Sequence, residues 1–91
     1  MSDTTISTSI DVAEFLEAVT EEVARINDLD VEDVEVSLDS SLIEALELDS
    51  LGILELVLCL QSRYDATIEE ADVKGSSTVG DFLKLVERGR A

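Results

Sequence analysis

Apolar residues recur along this chain with helical rather than strand periodicity. Val12, Leu16, Val19, Val23 and Ile26 follow one another at spacings of four, three, four and three. That spacing keeps one face of an α-helix apolar and predicts a helix running to about Asn27. Asp11-Val-Ala-Glu14 has the form of a capping box at its start, with Ile10 and Phe15 placed as a hydrophobic staple. Glu14, Glu17, Glu21 and Glu22 stay off the seam.

Between Asp28 and Asp49 the pattern weakens. Val31, Val34, Val36, Leu38, Leu42, Ile43, Leu46 and Leu48 are scattered through an acidic connection. A structureless loop of this length is unusual within a domain, so the segment is expected to be pinned across its neighbours. Ser41 to Glu47 has the composition of a helical turn. A strand over Val31 to Leu38 is the competing reading, but it has no second strand to pair with.

The next helix, Ser50 to Tyr64, carries two apolar stripes. At about 100° per residue, Ile53, Leu56, Val57, Leu60 and Tyr64 share one arc, wide enough to pack a core. Leu51, Leu54 and Leu58 form a second stripe on the side of Ser50, for which a small bundle has no obvious need. Thr67-x-x-Glu70 predicts a short third helix ending near Gly75. Thr78-x-x-Asp81 caps a fourth helix carrying Val79, Phe82, Leu83 and Val86, with Gly89 as its stop. The expected fold is all-α: a four-helix bundle with a long first loop and a short third helix. Residues 1–9 are polar and read as a flexible leader, and 10–91 as a single domain.

Composition narrows the function. The chain has 22 acidic residues against 6 basic ones and a formal net charge of -16. Phosphate binding needs Lys and Arg, which argues against nucleic acid and against an anionic membrane surface. A basic patch on another protein is the natural complement. The 45% apolar content argues against a disordered acidic tail. No run approaches the roughly 18 apolar residues of a membrane span, and the start of the chain lacks the basic residues of a signal peptide. The single cysteine, Cys59, suits a reducing cytoplasmic setting and sits among apolar residues as a small hydrophobe. With no His, no Ser–His–Asp triad and no ordinary zinc site can form within the chain. Asp33 stands where a calcium loop beginning at Asp28 needs Gly, so an EF-hand is rejected. The expectation is a monomer without catalytic residues or a metal.

Ser50 is the candidate for chemistry. At a helix start its hydroxyl has a plain structural use, capping free N–H groups of the first turn. The same N–H groups and the helix dipole also favour an anion, such as a phosphate ester on that hydroxyl. Leu48-Asp49-Ser50-Leu51, with Leu54-Glu55-Leu56-Val57 and Tyr64-Asp65 after it, resembles the attachment motif and second helix of acyl carrier proteins. The likeness extends from about Val12 to Val86. It implies a 4'-phosphopantetheine arm on Ser50, moved there from coenzyme A by a phosphopantetheinyl transferase, with cargo held as a thioester on its terminal thiol. It also implies that Asp49, Leu51 and Glu55 contact partner enzymes. Glu47, Leu54 and Leu58 complete the expected docking face, on grounds of charge and of the second stripe.

Two positions depart from the family pattern. Glu47 stands where many members have Gly, and Gly52 where fatty-acid carriers often have Asp. These departures favour a dissociated polyketide system over a fatty-acid one, served by an acyltransferase or ketosynthase with a basic docking patch. The Met1 start and the short tail after the last helix suit a free-standing protein. Ser-x-Gly with Glu-Leu downstream also resembles D-alanyl and other aminoacyl carriers, loaded by an adenylating enzyme. Gly52 either gives room for close approach by a partner or the arm or is simply tolerated near a helix end. An acidic helical adaptor without a prosthetic group is the alternative of another class.

Overall fold

The expected helices are present in a computed structural model, which describes residues 10–90; the expected 1–9 leader lies outside the described residues. The four helices are α1 (Val12–Ile26), α2 (Ser50–Tyr64), α3 (Glu70–Lys74) and α4 (Val79–Gly89). No strand occurs among the described residues; a single antiparallel bridge joins Ser41 to Thr78.

α1 begins at Asp11, whose side chain accepts from the N–H groups of Ala13 and Glu14. Only this half of the expected capping box forms. Ile10 and Phe15 are both buried, as a hydrophobic staple requires. The packed face runs through Phe15, Val19 and Val23, and Ile26 lies partly buried against the core. Val12 shares that face but sits in the terminal turn and is exposed. In α4 the box is complete: Thr78 Oγ1 accepts from Asp81 N at 3.2 Å, and Asp81 Oδ2 accepts from Thr78 N at 3.1 Å. Backbone N–H groups of Ser77 and Thr78 hold the Asp81 carboxyl below the usual carboxylate range.

The core gathers Phe15, Val19 and Val23 of α1 with Leu56, Val57 and Leu60 of α2. Val79, Phe82, Leu83, Leu85 and Val86 close it from α4. The Phe15 and Tyr64 rings meet with centroids 6.1 Å apart, a tilted aromatic pair. No charged or polar side chain is buried among the described residues, so the acidic groups are left to the surface. Two exposed ion pairs run between α1 and α2, Arg25–Glu55 at 3.6 Å and Arg63–Glu21 at 3.8 Å. Exposed pairs of this kind add at most about 1 kcal/mol each.

The long connection is pinned, as expected, but neither as strand nor as helix. Val31–Asp33 is a single 3-10 turn, and the backbone that follows forms no ladder. Residues 42–45 form the expected single helical turn, closed by Ala45 N and Leu46 N donating to the Ser41 carbonyl. Leu42, Leu46 and Leu48 reach the core. Leu42 N donates to Ser77 O at 3.0 Å, Val79 N to Ser40 O at 3.1 Å and Gly80 N to Leu38 O at 2.8 Å. Asn27 Nδ2 donates to Leu46 O at 2.9 Å and ties the end of α1 to the same segment. Paired backbone of this kind explains how so polar a segment can lie over the core.

The third helix and the last glycine differ from expectation. The N-cap position of α3 is Glu69 rather than Thr67, with no side-chain cap bond, while Thr67 N donates to the Gly89 carbonyl at 3.2 Å. Gly89 does not stop α4 but ends it from within, and Arg90 is the cap. A Cβ on Gly89 would collide with the Thr67 carbonyl, so the glycine serves a close backbone contact.

These placements fix two mutational outcomes. Leu56 is 0% exposed and Leu54 is 52% exposed. Leu56→Ala should cost about 2–5 kcal/mol in a urea titration, while Leu54→Ala should stay within about 0.5 kcal/mol of the parent. Gly89→Ala should cost about 1–3 kcal/mol by overpacking, readable as a lower urea midpoint.

Candidate attachment site

The site is built on the first turn of α2. The connection brings Leu48 into the core and leaves Asp49 in extended backbone as the N-cap of the helix. Asp49 Oδ1 accepts from Gly52 N at 2.8 Å, and the Asp49 carbonyl accepts from Ile53 N at 2.9 Å. The cap of α2 is therefore Asp49 and not Ser50. Ser50 is the first helical residue, exposed, and its hydroxyl has no hydrogen bond among the described residues. The capping role that the sequence allows for Ser50 is filled by its neighbour.

The two stripes of α2 separate as their spacing predicts. Leu56, Val57 and Leu60 are buried, with Ile53 and Tyr64 packed against the core. Leu51, Leu54 and Leu58 are 63%, 52% and 54% exposed. Ser50 and this stripe thus share one open side of the helix. Glu55 lies on its flank, tied to Arg25 of α1. Glu47 and Asp49 are exposed on the segment that leads in. Ile43, grouped with the pinned residues in the sequence, is instead exposed on that segment.

Gly52 packs within the fold. It is buried, and a Cβ there would stand 3.2 Å from Leu48 Cδ2 and 3.3 Å from Ile26 Cγ2. The close approach seen is between α1, α2 and the incoming segment. The sequence hid this because Ile26 lies on another helix.

Arg25 is the residue that sequence reasoning missed. Its Nε donates to Glu22 Oε1 at 2.6 Å, and a second guanidinium nitrogen reaches Glu55 at 3.6 Å. Burial works to raise the Glu22 carboxyl, but hydrogen bonds from Arg25 and Cys59 outweigh it and hold it below the usual range. An opposite charge three residues away from a helical Glu was the available signal. Cys59 is half-buried beside this group; burial first, then the Glu22 hydrogen bond, pushes its thiol up to about 11.

No group of three or more His, Cys, Asp or Glu among the described residues is arranged to hold a metal. No helix among them is long and apolar enough to cross a membrane. An open groove between α3 and α4, edged by Asp72, Lys84, Leu85 and Arg88, is lined by no residue of α2.

The site is thus an exposed serine at a helix start on a small helical bundle. The profile of the family described as a phosphopantetheine attachment site matches residues 17–86. A protein named acyl carrier protein from Sulfurovum sp. (strain NBC37-1) is 37% identical over 62 residues, spanning 68% of this chain and 83% of that one. One of the same name from Chlamydia trachomatis serovar L2 is 37% identical over 62 residues, spanning 68% and 80%. The chain belongs to the acyl carrier protein family. Its prosthetic group is 4'-phosphopantetheine. The first turn of α2 fits such a group: it offers an exposed hydroxyl with no competing internal partner, at the helix end that favours a phosphate.

The division of labour between Asp49 and Ser50 is measurable. Asp49→Ala should cost about 1 kcal/mol as a lost cap. Ser50→Ala should change stability by no more than about 0.5 kcal/mol, the range of surface substitutions away from such features. Chemical denaturation of the two variants against the parent compares them directly. The thiol of Cys59 should alkylate slowly. With its pKa raised from 9.0 to about 11, the thiolate is scarce at pH 8, and the rate should climb until the pH passes about 11. An iodoacetamide time course at several pH values follows this.

Proposed function

We propose that Ser50 carries the phosphopantetheine arm and that the protein presents acyl intermediates, held as thioesters, to the enzymes of a dissociated polyketide or fatty-acid-type pathway. The observation that carries the reading is the free hydroxyl of Ser50, left exposed because Asp49 caps the helix. The arm, when bound, supplies the thiol that holds the cargo. The chain's own part is to orient the attachment point and to offer a docking face. Ser50 has no His anywhere in the chain to activate it, so activation falls to the transferase.

The docking face comprises Glu47, Asp49, Leu51, Leu54, Glu55 and Leu58. It has the two components of a protein interface, apolar anchors and a charged rim. Between Arg25 and Arg63 ten acidic residues occur and no basic one. This single-sign field suits a phosphopantetheinyl transferase and an acyltransferase or ketosynthase bearing basic patches. The same reading takes 10–91 as one carrier domain, monomeric and cytoplasmic. An aminoacyl cargo, loaded by an adenylating enzyme, is the alternative, resting on the Ser-x-Gly resemblance.

Incubation with coenzyme A and a broad-specificity phosphopantetheinyl transferase should add one phosphopantetheine by intact mass, and Ser50→Ala should add none. An unmodified parent, or a modified Ala variant, would defeat the assignment. Association with the transferase should also slow as ionic strength rises, because salt screens the field beyond a Debye length of about 10 Å at 0.1 M.

A further inference from the structure

Asn27 ends α1, and its backbone closes the helix by donating from N to Val23 O at 2.9 Å. Its side chain does no work there. The amide instead reaches across 19 residues of sequence and donates from Nδ2 to the Leu46 carbonyl at 2.9 Å. Among the described residues that carbonyl meets no other donor. The bond is partly buried, and a carbonyl left unpaired in such a place costs more than the bond itself adds.

The position of this bond in the chain gives it leverage. The Leu46–Glu47 peptide sets the φ of Glu47, which is left-handed at 53°. Asp28 and Asp65, the other left-handed residues, lie where α1 and α2 end, and that conformation is common there. Glu47 ends no helix. A residue other than glycine stays in this region only where its surroundings fix it. Leu48 N, bonded to Leu42 O at 3.1 Å, fixes the peptide after Glu47, and Asn27 fixes the peptide before it. Ser50 follows at once. Extended backbone at Asp49 lets its carboxylate take Gly52 N, which leaves the Ser50 hydroxyl uncommitted. The residue before Asn27 braces the far side of the site, since a Cβ on Gly52 would stand 3.3 Å from Ile26 Cγ2. The end of α1 thus holds the chain both before Ser50 and after it.

We propose that Asn27 is a positioning residue for loading of the arm: through the Leu46 carbonyl, its amide holds the segment before Ser50 in the turn that makes Asp49 the cap and keeps the Ser50 hydroxyl free. The proposal rests on the assignment of the arm to Ser50. Without the amide, the Leu46–Glu47 peptide turns to find water and Glu47 relaxes out of the left-handed region. Asp49 then loses the register that makes it the cap, and the Ser50 hydroxyl is drawn into that role. The exposed stripe of Leu51, Leu54 and Leu58 lies outside this change, so docking is kept while the transfer step slows.

Asn27→Ala removes the donor. Asn27→Asp keeps the size of the side chain but offers only acceptors, and it carries the test if the Ala variant does not fold. Gly89→Ala, at the end of α4, is the control for plain loss of stability. Each apo-protein is varied in concentration against a broad-specificity phosphopantetheinyl transferase at saturating coenzyme A, and appearance of the holo mass gives kcat and KM separately. Amide hydrogen exchange by NMR gives the protection of Gly52, whose N–H reports the Asp49 cap. Both Asn27 variants should lose about three- to tenfold in kcat with KM within about twofold, less than the roughly 10²-fold that a 1 Å misplacement can cost. Gly52 exchange should quicken about threefold or more relative to that of buried Leu60. Gly89→Ala should lower the urea midpoint while kcat and the relative protection of Gly52 stay as in the parent. Parent-like kcat in the Asn27 variants overturns the proposal, as does a loss confined to KM or an equal loss of kcat in Gly89→Ala. Unchanged relative protection of Gly52 overturns the route through the cap. A parent that accepts no phosphopantetheine overturns the Ser50 assignment, and the proposal with it.

Discussion

The burial of Leu46 and Leu48 on either side of an exposed Glu47 is the constraint from which the geometry around Ser50 follows. Both leucines must face the core, and α2 must begin two residues later. The backbone meets these demands by turning left-handed at Glu47 and extended at Asp49. Extended backbone at Asp49 puts its carboxylate over the first turn, where it takes the Gly52 N–H. With that donor satisfied, Ser50 has no capping work left. Gly52 in turn lets Leu48 and Ile26 close on the helix without a side chain between them. The free hydroxyl is a consequence of how the preceding leucines are packed.

The charge distribution fits the same arrangement. No charged side chain is buried among the described residues, so apolar burial is opposed by repulsion over the surface rather than by desolvated charges within. The basic residues of α1 and α2 are committed locally: Arg25 bridges Glu22 and Glu55, and Arg63 meets Glu21. These contacts lie between helices whose apolar faces already meet, so they trim repulsion where it would part the pair. The segment leading into Ser50 has no such neutralisation in its sequence, and its field stays directed outward.

What the sequence made legible was set by period. The two stripes of α2 separate because side chains at helical spacing must, and the capping box of α4 formed because both its members are local. What stayed hidden depended on partners distant in the chain. Gly52 answers to Ile26, Gly89 to Thr67, and the 42–48 segment to Ser77 and Asn27. The helical turn within Ser41 to Glu47 was legible from composition, but not what it is tied to. Nor could composition choose between Asp49 and Ser50 as the cap. Both are good capping residues, and only the register imposed by Leu48 decides between them.

That register also explains how one helix can serve two masters. Along α2 the residues that hold the fold and those free to meet a partner alternate within each turn: Asp49 and Gly52 with Leu56, against Ser50 with Leu51, Leu54 and Leu58. The exposed set makes few internal commitments, so it can change with the partner while the bundle stays intact. The buried set has no such freedom, since each member answers to another element. Asp49 and Glu47 are where the two sets meet. One gives a carboxylate oxygen to the cap while remaining exposed, and the other holds a left-handed backbone with its side chain exposed. The junction between the buried and exposed sets is thus confined to the few residues before Ser50, where the packing of the long connection sets the start of α2.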